Sequence, residues 1–192
     1  MRIMKPIPLD EIPVGDEWLY EMKYDGYRAI LSISEDEISL KSRNNIDLTE
    51  KFPEIITACN DLLTTWKKFL PLQLDGELVI LNNRLQANFS EIQKRGKMRN
   101  KSRIHKAASV RPASFVAFDL LESKGKSYVK EKLSHRKTVL SQVFADIEHE
   151  RIWMLDVFQS KEEAERTVFE YKGEGIVAKK IESRYLHGKK HR

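Results

Sequence analysis

Cysteine is almost absent: Cys59 is the only one in 192 residues. A single cysteine excludes an internal disulfide framework and a cysteine-built zinc site, and it fits a reducing compartment. Cys59 falls within an apolar helical pattern, so it reads as core filling. Long apolar runs are missing as well. No stretch approaches the roughly 20 residues of a membrane span, and Met1–Pro6 carries no apolar leader core. No membrane association is expected, and the cytosol is the expected location. Neither Gly-x-x-x-x-Gly-Lys-[Ser/Thr] nor Gly-x-Gly-x-x-Gly occurs, so a P-loop and a Rossmann site are both excluded. Internal repeats, low-complexity tracts and a clear linker are lacking too.

Charge, by contrast, is abundant. Charged residues make up 33% of the chain and the net charge is +5. A mild basic excess fits an anionic partner such as nucleic acid or a nucleotide. At this length the chain fits one domain, which can bury roughly 70% of the surface its unfolded form exposes.

The N-terminal arm, residues 1–16, holds Pro6, Pro8, Pro13 and Gly15 and reads as irregular. Trp18 to Lys23 reads as a strand, Asp25-Gly26 as a turn, and the next apolar run as its hairpin partner. Glu37 to Arg43 alternates as a strand and ends at Asn44-Asn45. Thr49 is the expected cap of a helix whose apolar positions run from Phe52 to Trp66, with Pro53 in the first turn. Leu72 to Leu81 is another apolar strand. A short helix over 88–95 leads into a basic run, where seven cations fall between Lys94 and Lys106. That run reads either as a solvated loop or as a phosphate-backbone contact. Ala113 to Leu121 is the most apolar strand, followed by a helix over 133–147 and a strand over 152–157. Ser160 and Glu163 form a capping box, and Gly173 stands at the expected helix C-terminus. Glu174 to Ile181 is the last strand, followed by a basic tail. Strands and helices mix without strict alternation, which predicts an α+β fold of antiparallel sheets flanked by helices.

Four apolar segments carry charges that a plain core would not choose: Glu21/Lys23/Arg28, Ser42/Arg43, Asp75/Glu77 and Glu174/Lys179/Lys180. Burying charge is costly unless each group has a partner or a ligand. Alternation puts Glu21, Lys23 and Asp25 on one side of the first strand, so that side faces solvent or lines a charged pocket. Taken together, two carboxylates and several cations suit a nucleoside triphosphate with a divalent metal.

Lys23-Tyr24-Asp25-Gly26-Tyr27-Arg28 resembles the Lys-x-Asp-Gly-x-Arg signature of the covalent nucleotidyltransferases: ATP-dependent DNA ligases, RNA ligases and capping enzymes. Ser42-Arg43-Asn44 is similar to motif Ia of that family, Asp75-Gly76-Glu77-Leu78 to motif III, Phe115 to Asp119 to motif IIIa, and Glu174 to Lys179 to motif IV. The wording is most similar to the ligase domain of bacterial end-joining ligases of the ligase D type, and the resemblance runs from about residue 3 to 192.

The resemblance implies an ATP-grasp-like adenylation domain over 1–192. It implies Lys23 as the nucleophile that takes AMP from ATP, with magnesium or manganese. It places Glu21 beside adenine, Arg28 and Arg43 on ribose or phosphates, Glu77 on the ribose or metal, Phe118 stacked on adenine, Glu174 on metal and Lys179 on the α-phosphate. Nicked or broken duplex DNA is the implied partner, with a Ku-like end-binding protein and a polymerase beside it, in the nucleoid-associated cytosol. An RNA ligase, a capping-type enzyme or a catalytically weak nucleic-acid-binding module is the alternative. Motif V and the OB-fold domain of the family do not precede Arg192, so a truncated adenylation domain with weak adenylation is expected.

Overall fold

Strands rich in β-branched and aromatic residues, buried on both faces, need partners on both edges, and two sheets supply them. The computed structural model describes residues 3–83 and 85–186; Arg84 and the basic tail from His187 lie outside the described residues. The larger sheet contains β2 (Tyr27–Ile33), β3 (Ile38–Ser42), β4 (Leu72–Val79), β5 (Ser114–Ser123) and β6 (Lys126–Ser127), in the order β3-β2-β4-β5-β6. A further strand, β7 (Ile152–Met154), pairs parallel to β5. The smaller sheet has the order β8-β1-β9, built from β1 (Trp18–Lys23), β8 (Val157–Phe158) and β9 (Gly175–Lys180), all antiparallel. The helices are α1 (Pro53–Trp66), α2 (Phe89–Lys97), α3 (Lys101–Val110), α4 (Leu133–Phe144) and α5 (Lys161–Tyr171). The expected α+β architecture of antiparallel sheets flanked by helices is what the chain adopts.

The main core lies between the large sheet and α1 and α4. Ile55, Ala58, Cys59, Leu62 and Trp66 of α1 are buried there with Leu31, Leu74, Phe115 and Leu140. Trp66 Nε1 donates to the Val143 carbonyl of α4 at 3.1 Å, which ties the two helices together. Cys59 is buried and free, and burial pushes its thiol up to about 12, so it is inert filling as expected. A second cluster, including Met22, Tyr24, Val79 and Val116, joins the small sheet to the large one.

Five local expectations are corrected. First, β1 and β2 are not a hairpin. Each joins a different sheet, because both are apolar enough to need their own neighbours. The Asp25-Gly26 link passes so close to β4 that a Cβ on Gly26 would lie 2.2 Å from the Leu78 carbonyl oxygen. Gly26→Ala is therefore expected to cost about 1–3 kcal/mol of stability through overpacking, read as a lower midpoint in urea. Second, Thr49 does not cap α1. It sits in a 3-10 turn and its Oγ1 accepts from the Leu40 amide at 3.0 Å, so it is occupied by β3. Third, the expected short helix from Asn88 is present as α2, but the basic run after it is not a loop: α3, capped by Asn100, carries most of it. Fourth, 152–157 is not one strand but the start of two, β7 and β8, in different sheets. Fifth, the left-handed residue ending α5 is Lys172, at φ 55°, one position before Gly173. Gly173 is needed for another reason, since a Cβ there would lie 2.6 Å from Met22 Sδ. The Ser160 cap holds, accepting from the Glu163 amide at 3.1 Å.

Candidate active site

Antiparallel register decides which charges meet. Glu21 lies opposite Val177 and Leu19 opposite Lys179, so Glu21 and Lys179 are diagonal neighbours on one face of the small sheet. Lys23 ends β1 on that same face, opposite Gly175. The face is buried at Glu21, 1% exposed, and opens to solvent at Lys23, whose side chain is 43% exposed. The first strand thus combines the two readings, a charged pocket at one end and solvent at the other.

Glu21, Lys23 and Lys179 each have a partner on this face. Lys23 Nζ contacts Glu174 Oε1, at the entrance to β9. Lys179 Nζ contacts Glu21 Oε2, while the ammonium of Lys137, reaching in from α4, makes an ion pair with Glu21 Oε1 that is not aligned as a hydrogen bond. Burial draws the Lys137 ammonium below the ordinary lysine range, with Glu21 opposing that pull. A cavity of about 130 Å³ opens beside Lys23, lined by Lys23, Asp25, Leu85, Gln86, Ala87, Lys172 and Glu174.

The large sheet supplies the opposite wall. Arg28 pairs in register with Glu77 and reaches diagonally to Asp75, where Nε and Nη2 bond the two carboxylate oxygens at 3.0 and 2.6 Å. Burial works against the Arg28 charge, and Asp75 more than offsets it, leaving the guanidinium firmly cationic. Tyr185 Oη donates to the same Asp75 at 2.6 Å. Burial and Asp75 together hold that phenol protonated.

Phe118 owes its position to a bulge. Asp75 faces Asp119 and Gly76 faces Ala117, so Phe118 is the extra residue of β5. Its ring carries Arg28 at 4.9 Å and Lys179 at 4.7 Å from the centroid. Gly76 permits the close β4–β5 approach, because a Cβ there would lie 2.4 Å from Phe115 Cζ. Arg43 stands apart: exposed at the end of β3, it is tied to Arg28 only through its own amide, which donates to the Arg28 carbonyl at 3.1 Å. The fold thus brings Glu21, Lys23, Arg28, Glu77, Phe118, Glu174 and Lys179 to one cleft and leaves Arg43 at its rim.

Glu77 is the carboxyl with the weakest compensation. Burial pushes it up to about 8; Arg28 opposes the shift, and Asp75 and Asp25 add to it. Its folded value lies above its unfolded value, so between about pH 4.5 and 8 the folded chain binds the extra proton and loses stability as pH rises. Glu77→Gln is expected to flatten the fall in melting temperature across that window. An unchanged slope in the variant would contradict the assignment.

Four residues not among the expected site residues take part: Lys137, Tyr185, Arg136 and Asp119. Arg136 is fully buried, with Nε and Nη2 on the Asp119 oxygens at 2.7 and 2.9 Å and Nη1 on the Glu131 carbonyl at 2.7 Å. A signal for α4 existed. Leu133, Arg136, Lys137 and Leu140 stand at i, i+3, i+4 and i+7, so the two cations occupy the apolar stripe.

Residues 9–192 match the family profile described as ATP dependent DNA ligase domain. The chain belongs to the ATP-dependent DNA ligase domain family. Among the relatives of this ligase domain, the bifunctional non-homologous end joining protein LigD of Bacillus subtilis is 38% identical over 196 residues, covering 97% of this chain and 32% of that protein. DNA ligase C1 of Mycolicibacterium smegmatis is 32% identical over 191 residues, covering 94% of this chain and 52% of that protein. The ligase domain described here therefore spans about a third to a half of the length of these relatives. Its fold is shared with the solved ligase domain of Mycobacterium tuberculosis LigD, at a TM-score of 0.77 and 22% identity, covering 99% of this chain and 56% of that one. A mycobacterial DNA ligase D solved with ATP and MES gives a TM-score of 0.76 at 23% identity, covering 99% and 57%.

Proposed function

We propose that this chain is the adenylation domain of an ATP-dependent DNA ligase of the end-joining type, and that Lys23 carries the AMP. What supports this most is the convergence of Lys23, Arg28, Glu77, Phe118, Glu174 and Lys179, drawn from β1, β2, β4, β5 and β9, on one cleft. The Lys23–Glu174 pair must open and the ammonium must give up a proton, to the Glu174 carboxylate or to water, because only the neutral amine attacks. The Nζ lone pair then forms a bond to the α-phosphorus of ATP, and the nitrogen sheds its second proton to water as the phosphoramidate forms. The bond from that phosphorus to the bridging oxygen breaks, and pyrophosphate leaves with the electron pair. Arg28 and Lys179 are placed to neutralise phosphate charge, and Phe118 offers a ring face to the adenine.

Magnesium or manganese fits the donor set. Glu77 is a half-buried carboxyl short of compensating charge, and Glu174 is a second oxygen donor beside Lys23. Among the described residues no three metal-ligating side chains converge, so phosphate oxygens and water would complete the shell. Such an ion would neutralise the triphosphate when bound.

Nicked or broken duplex DNA is the proposed acceptor, as the names of the relatives suggest. Lys97, Arg99, Arg103 and Lys106, all exposed on or beside α2 and α3, are the proposed phosphate-backbone contacts. Arg95 is excluded from that set, because it is buried and gripped by Glu54 at 2.7 Å. A Ku-like end-binding protein and a polymerase are the proposed partners in end joining, in the cytosol beside the nucleoid. Among the described residues no helix is long and apolar enough to cross a membrane.

The test is incubation with α-labelled ATP and magnesium. The expected product is an acid-labile label on the chain that pyrophosphate removes and that excess ATP, but not GTP, competes away. A label that GTP competes equally well would contradict the adenylate reading.

A further inference from the structure

Two lysines share one carboxylate at the floor of the cleft. Side-chain exposure is 2% for Glu21, 9% for Lys137 and 16% for Lys179. Lys179 holds Oε2 from the neighbouring strand and Lys137 holds Oε1 from α4. The two cations differ in what else they touch. Lys179 also lies over the Phe118 ring. Lys137 is the more enclosed, and it sits next to Arg136, which anchors α4 through Asp119 and the carbonyls of Glu131 and Ser183.

If the reading above is right, bound nucleotide draws Lys179 away. A base laid on Phe118 displaces the ammonium from the ring, and a phosphate competes with Glu21 for it. With Lys179 as its only partner, Glu21 would be left as a lone buried carboxylate, and that cost would oppose binding. We propose that Lys137 is a positioning residue: the permanent counter-ion of Glu21, which frees Lys179 to exchange the carboxylate for the phosphate of bound ATP. Lys137 touches neither nucleotide nor reacting atoms in this scheme, and it acts only through Glu21.

That restriction gives a sharp test. Equilibrium affinity for ATP, and the rate of covalent labelling, are measured on the full chain for the wild type, Lys137→Met, Glu21→Gln and the double variant. Lys137→Met is expected to weaken ATP binding by about tenfold or more, because Glu21 then retains Lys179. Glu21→Gln keeps an acceptor oxygen and needs no counter-ion, so adding Lys137→Met to it should change affinity by less than about threefold. A Lys137→Met chain with wild-type affinity overturns the proposal, as does a further loss of about tenfold in the double variant relative to Glu21→Gln. Should Lys137→Met fail to fold, Lys137→Gln and Lys137→Arg decide instead: the neutral variant is expected to weaken ATP binding by about tenfold and the charge-keeping arginine to hold it within about threefold of wild type, and equal affinities in the two would overturn the proposal. A purely structural Lys137 would lower the melting temperature in both backgrounds and leave the affinity of the folded protein unmoved. A wild-type chain that binds no ATP would sink the ligase reading, and this proposal with it.

Discussion

Lys23→Arg is expected to abolish the covalent nucleotide, lowering adduct formation by about 10³-fold or more, while ATP affinity stays within about threefold. The argument rests on what arginine keeps and what it loses. It keeps a cation opposite Glu174, so the charge balance of the cleft is preserved. It loses the neutral form, because a guanidinium does not shed its proton in a protein and cannot attack phosphorus. Binding and chemistry should therefore separate. Labelling that persists in the arginine variant would move the nucleophile elsewhere, and affinity that collapses with it would make Lys23 a binding residue first.

The second large effect is on folding. Arg136→Met leaves Asp119 buried with its two charged bonds removed, the costly way to break a buried pair. The expected loss is about 3–5 kcal/mol, which lowers the melting temperature by about 6–20 °C for a domain of this size. Replacing both partners, Arg136→Met with Asp119→Leu, should recover most of it, because no charge is then stranded. A single variant that melts within a few degrees of the wild type would show that the pair is solvated in solution.

Most of the site was legible because its residues lie on strands, where period-two alternation fixes which side chains share a face. Glu21, Lys23 and Lys179 illustrate this: apolar strands with charges on one face announce a pocket before any pairing is known. What alternation could not supply is pairing between sheets. The Asp25-Gly26 dipeptide is good hairpin chemistry, yet Gly26 serves the approach to Leu78 and the strands part company. The bulge that re-aims Phe118 depends on the β4–β5 register, which no local pattern encodes. Asp75 stands out as a charge on an apolar strand, but its role as the shared acceptor of Arg28 and Tyr185 depends on a partner 110 positions away, Tyr185. Lys137 lies on the apolar stripe of α4, but a long amphipathic side chain there ordinarily reaches for solvent, so its position alone does not mark it as part of the site. The short helix from Asn88 is legible, whereas the cations after it read as a loop from charge alone, although Asn100 marks a second helix start.

The central claim is that Lys23 takes AMP from ATP. Intact mass of the chain after incubation with ATP and magnesium, before and after added pyrophosphate, followed by peptide mapping, tests it most directly. The account predicts a species heavier by one adenylyl group, mapped to Lys23 and returned to the unmodified mass by pyrophosphate. An adenylyl group on any other residue, or none on a chain that binds ATP, would contradict it.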